Sequence, residues 1–111
     1  KLEEKIDTNS SLYIISDSTI DYWNYDDNGN YTEWGNNYIK SMSNISNINI
    51  DSVSGSGFYA MKNTKKNFTN RLENLNYSYD NILFIGGWND KNFNKTIKEI
   101  KKSINIIKLQ K

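Results

Sequence analysis

The sequence predicts an α/β fold in which a parallel β-sheet is covered by helices on both faces. Short apolar runs alternate along the chain with segments whose apolar residues recur every three or four positions. That alternation of strand and helix folds into right-handed βαβ units. The two clearest apolar runs, residues 12–15 and 82–85, also break off into polar, small-residue loops, as buried strands do at the edge of such a sheet.

Taken in order, residues 1–11 are polar and charged, the composition of a lead-in or linker, and residues 12–111 form one domain. Leu12, Tyr13, Ile14 and Ile15 make the first strand, which ends in Ser16, Asp17, Ser18 and Thr19. From Ile20 to Glu33 the chain is aromatic, acidic and glycine-punctuated, with Asn28-Gly29 as a turn signal. A helix is expected from about Glu33, with Trp34, Tyr38, Ile39 and Met42 on one face. Ile45, Ile48, Ile50 and Val53 then suggest an extended segment leading to Ser54-Gly55-Ser56-Gly57. Phe68, Leu72 and Leu75 predict a second amphipathic helix. After the strand at 82–85 comes Gly86-Gly87-Trp88-Asn89-Asp90, and Phe93, Ile97, Ile100, Ile104 and Ile107 predict a final helix with lysines on its other face.

Bulk properties exclude several function classes. The length of 111 residues suits one domain, and an aromatic share of 14% offsets an apolar share of only 36%. Fourteen basic against thirteen acidic residues leave a net charge of +1, so no long-range field favours nucleic acid or an anionic membrane. The lysines of residues 91–111 read as the solvated face of a helix rather than a phosphate-binding patch. Cysteine is absent, which removes disulfides and thiolate zinc sites. No apolar run approaches the about 18 residues of a membrane span, and the start is not that of a signal peptide.

Ligands of parallel sheets bind beyond the carboxyl ends of the strands, and all three small-residue polar segments fall at such ends. Ser18 alone is weak, because a serine after a strand is usually a helix cap. Its setting matters more. A nucleophilic hydroxyl at a strand end, with N–H donors aimed at one developing oxyanion, is the equipment of acyl transfer.

These segments resemble the SGNH hydrolases, a family named for a Ser, a Gly, an Asn and a His in four blocks. Ser16-Asp17-Ser18 is similar to the first block, with Ser16 in place of the usual glycine, Ser54-Gly55-Ser56-Gly57-Phe58 to the second, and Gly87-Trp88-Asn89-Asp90 to the third. The resemblance implies a flavodoxin-like three-layer sandwich and hydrolysis of esters through an acyl-enzyme. Ser18 would be the nucleophile. The backbone N–H groups of Ser18 and of Gly55, or Gly57 if the register shifts by two, would form the oxyanion hole with the Asn89 carboxamide. Asp17, Gly57, Trp88, Tyr22 and Trp23 are the expected substrate-binding residues, and the aromatic rings after Ser18 point to acetylated carbohydrate. The mechanism calls for no metal or organic cofactor.

The fourth block, normally Asp-x-x-His, is absent, and the chain contains no histidine. A serine hydroxyl without a positioned base is a poor nucleophile, so these 111 residues are expected to be inactive alone. The remainder of the domain is expected to be missing. The alternative is a non-catalytic glycan-binding or scaffolding module on a degenerate form of the fold.

Two further patterns compete. Gly55-x-Gly57-x-x-Ala60 imitates a dinucleotide fingerprint but leads into polar sequence instead of a packed helix. Asn24, Asp26, Asn28 and Gly29 imitate half a calcium loop, yet Gly35 stands where the bidentate acid belongs. A turn stabilised by Asx side chains is the expectation there.

Overall fold

The computed structural model describes residues 9–76 and 78–109. Its strands are β1 (Ser11–Ser16), β2 (Asn47–Ser52) and β3 (Asn81–Ile85); its helices are α1 (Ser18–Asp21), α2 (Trp34–Met42), α3 (Phe68–Glu73) and α4 (Phe93–Leu109). Most of the expected lead-in lies outside the described residues. Its last residue, Ser11, already belongs to β1, where its N–H and hydroxyl donate to Asp80.

The sheet is parallel throughout, in the order β2-β1-β3, with Leu12 level with Ile48 and Asn81. β1 is central and the most buried of the three strands, and its alternation divides the core in two. Leu12 and Ile14 join Ile20 and Ile48 on the face covered by α1 and α2, where Ile39 packs from α2. Tyr13 and Ile15 face the other way, onto Phe68 and Leu72 of α3 and onto Phe84, Ile106 and Ile107. Burying each such aliphatic or Phe side chain contributes about 1.5–3 kcal/mol. The result is an α/β structure of three layers, helix, sheet and helix.

Two helices also bury polar positions beside the apolar stripe that the sequence marks. In α2, Trp34, Tyr38 and Met42 are exposed, while Gly35 and Asn36 face inward. The physical reason is a buried amide pair: Asn24 Nδ2 donates to Asn36 Oδ1 at 3.0 Å, and Asn36 N donates to Asn24 Oδ1 at 2.9 Å. In α4, Phe93 and Ile104 are exposed, and the buried positions are Glu99 and Ser103. Here too polar groups satisfy one another. Thr69 Oγ1 lies 3.0 Å from Ser103 Oγ, and Glu99 accepts from Lys62 Nζ at 2.8 Å and Asn67 Nδ2 at 3.3 Å.

The region expected to be an open loop after Ser18 is partly helical, with α1 followed by a 3-10 turn over Tyr22–Asn24. Asp26 makes the expected Asx turn, its Oδ1 accepting from the N–H groups of Asn28 and Asn30 at 2.9 Å each. The turn is closed further by a bridge between Tyr25 and Tyr31. Among the described residues, no helix is long and apolar enough to cross a membrane.

Candidate functional site

The chain leaves β1 for β2 on one side and then crosses over to β3 on the other, so the strand order reverses at β1. Loops leaving the carboxyl ends diverge at such a point and open a crevice. Ser18 stands there as the first residue of α1.

Asp17 caps that helix, its Oδ1 accepting from Thr19 N at 2.8 Å. It is buried, not solvent-facing, and its other oxygen, Oδ2, has no partner among the described residues. Its position makes it a support of the Ser18 turn. Ser18 itself is half-buried, and among the described residues neither its hydroxyl nor its N–H has a hydrogen-bond partner.

The three strand-end loops are clamped to one another. Asp21 ties α1 to the loop after β2, with Ser54 Oγ donating to its Oδ2 at 2.7 Å. Ser16 O accepts from Val53 N at 3.1 Å. Asn89 donates from Nδ2 to Ser56 O at 3.0 Å, joining the loop after β3 to the loop after β2. Gly86 brings the loop after β3 against β1: a methyl group there would lie 2.7 Å from the Phe68 ring and 2.9 Å from Asp17 Oδ2.

Asp90 completes the clamp. Its carboxylate accepts from three consecutive amides, Phe58 N at 2.9 Å, Tyr59 N at 3.0 Å and Ala60 N at 2.9 Å. This internal anion fills the place where a dinucleotide phosphate would sit, and the segment continues into turns and a short 3-10 piece (Lys62–Thr64) rather than a packed helix. Gly57 makes the contact feasible, because a methyl group there would be 2.5 Å from Asp90 Oδ1. Gly57 is buried and Gly55 is exposed with φ +85°, its N–H without a partner among the described residues.

Arg71 is a residue that sequence reasoning missed. From α3 its guanidinium reaches Asp51 O at 2.9 Å, Asp51 Oδ1 at 3.0 Å, Ser16 O at 3.0 Å and Ser56 Oγ at 2.9 Å. One planar group thus pins the ends of β1 and β2 and the second loop together. Tyr13 shares the same carboxylate, donating to Asp51 Oδ2 at 3.1 Å, and burial, then the Asp51 charge, push its phenol well above the ordinary tyrosine range. The signal available in the sequence was that Arg71 is the lone arginine among fourteen basic residues.

The aromatic residues occupy two places. Trp23 lines a cleft of about 250 Å³ with Thr19, Ile20, Trp34, Gly35, Tyr38 and Ile39. Tyr22 is exposed and meets Trp23 edge-on, with ring centroids 5.6 Å apart. Trp88, 82% exposed, is contacted by Lys91, whose Nζ donates to Trp88 O and lies 5.4 Å from the ring centroid. Among the described residues there is no group of His, Cys, Asp or Glu side chains suited to hold a metal ion. Comparison of the chain with protein-family models, with curated proteins and with solved structures gives no match.

Proposed function

We propose that these residues form the nucleophile and oxyanion half of an SGNH-type serine ester hydrolase, on a sheet whose order is compatible with a flavodoxin-like layout. Ser18 Oγ attacks the ester carbonyl, the alcohol leaves, and water releases the acyl group from Ser18. The N–H groups of Ser18 and Gly55 and the second amide hydrogen of Asn89 hold the negative charge that develops on the carbonyl oxygen. The observation that carries this reading is the clamping of all three strand-end loops at one sheet edge, with the Ser18 and Gly55 N–H groups left unpartnered among the described residues. Between the two registers, Gly55 is favoured over Gly57, because Gly57 is packed beneath the Asp90 carboxylate.

A general base must come from outside these 111 residues, since the chain has no histidine and Ser18 Oγ has no partner among the described ones. The substrate class we propose is a small ester, with acetylated carbohydrate favoured by the exposed rings of Tyr22 and Trp23 beside Ser18. The second reading, a glycan-binding module without turnover, is favoured by the same lack of a base.

Hydrolysis of 4-nitrophenyl acetate by the full-length protein separates them. Ser18→Ala is expected to reduce turnover to background with the circular dichroism spectrum unchanged. Asn89→Ala is expected to lower kcat by about a hundredfold to a thousandfold. Turnover unaffected by Ser18→Ala would remove Ser18 as the nucleophile.

A further inference from the structure

Two clefts share the walls formed by Trp23 and Trp34. The first, beside Thr19, is the apolar one described above. The second, about 520 Å³, has a largely apolar aromatic lining with polar groups around it: Tyr25, Asp26, Asp27, Thr32 and Asn37 in addition to the two tryptophans. Its size lies within the ordinary range of ligand pockets, roughly 300–1,000 Å³. Trp23, Tyr25, Trp34 and Tyr38 are all about half exposed around these two clefts, and exposed aromatic rings rimmed by polar groups are a common form of ligand-binding face.

The face is rigidly built. Trp34 stacks on Tyr38 with centroids 5.1 Å apart and planes 9° from parallel, and Trp23 lies 6.2 Å from Trp34. Beneath them the Asn24–Asn36 amide pair fixes the loop to α2, and Thr32 N donates to Asn24 O at 2.6 Å. Rings held in place before binding spare the ligand the cost of ordering them.

We infer that this face binds a neutral glycan, with a sugar ring against the indoles of Trp23 and Trp34 and its hydroxyls on Asp27 and Asn37. Aromatic faces carry partial negative charge and attract the weakly positive C–H face of a pyranose. The side chains of Asp27 and Asn37 have no hydrogen-bond partner among the described residues, whereas Asp26 and Thr32 are spent on the turn. Asp26 and Asp27 are the charged residues lining the second cleft, and their acidity disfavours phosphorylated or uronic ligands. Because the apolar cleft joins this surface to the Ser18 turn, the glycan is the alcohol part of the ester; this last step rests on the hydrolase reading.

The test is binding, measured apart from turnover. Xylohexaose, chitohexaose and other neutral oligosaccharides are titrated into the protein with tryptophan fluorescence and calorimetry as readouts. At least one is expected to bind saturably, at least tenfold more weakly to Trp34→Ala and several-fold more weakly to Asp27→Asn. Trp34→Phe, which keeps a ring, is expected to retain intermediate affinity and guards against misfolding of the alanine variant. Absence of saturable binding to every neutral glycan, equal binding by Trp34→Ala, or selective binding of choline instead overturns the inference. Glycan binding without ester turnover in the full-length protein supports the glycan site and ends the hydrolase reading.

Discussion

Asp90 occupies the point where three amide hydrogens converge, and its charge does structural service between the second and third loops. Asp90→Ala leaves three donors without their acceptor, each partly buried. A loss of about 1–3 kcal/mol is expected, with Asp90→Asn intermediate, measured as a shift in the urea midpoint at constant slope. A midpoint within error of the parent would contradict the clamp. The pattern Gly55-x-Gly57-x-x-Ala60 reads in the sequence only as an imitation of a dinucleotide fingerprint, and nothing in it revealed that its amides meet a carboxylate supplied 30 residues away from Ala60. The anchoring role of Arg71 was equally hidden, because its partners are mainly backbone carbonyls and a serine that carry no sequence signature.

Among the elements, the strands were the most legible. The runs at 12–15 and 82–85 appear because continuous apolar stretches bounded by polar loops have few other solutions. The segment near Ile48 appears through its alternation of Ile48 and Ile50 with polar residues. Helix α4 was legible as a helix, and Ile107 of its predicted apolar stripe does pack on the core. Its fully buried positions are nevertheless Glu99 and Ser103, because Lys62, Asn67 and Thr69 offer them matched partners.

Acid stability reports on that choice. Burial alone would raise the Glu99 carboxyl, but the hydrogen bond and charge of Lys62 outweigh it and hold the group below its ordinary value, while Lys62 is raised in turn. A depressed folded pKa means that stabilisation is present above the unfolded glutamate value of about 4.3 and is lost as pH falls through the folded one. Stability of the parent protein is therefore expected to decline below about pH 4. Glu99→Gln is expected to be less stable at pH 7 and to show a flatter acid limb, read from urea denaturation at a series of pH values. An acid limb unchanged in Glu99→Gln would contradict the assignment.

Over the whole molecule, the order β2-β1-β3 reverses at β1, and the three loops are tied there by side chains that are polar but mostly satisfied. Topology was legible because alternating strands and helices leave few arrangements. The meeting of the three motifs was legible from that topology, because all three fall at carboxyl ends of parallel strands; the hydrogen bonds that tie the loops together were not, since no local pattern encodes them. The central claim is that Ser18 is the nucleophile at that meeting point. It is tested most directly by treating the full-length protein with a fluorophosphonate and mapping the adduct by peptide mass spectrometry. The expected result is one covalent adduct on the peptide containing Ser18, abolished by Ser18→Ala; an adduct on another serine, or none, would contradict it.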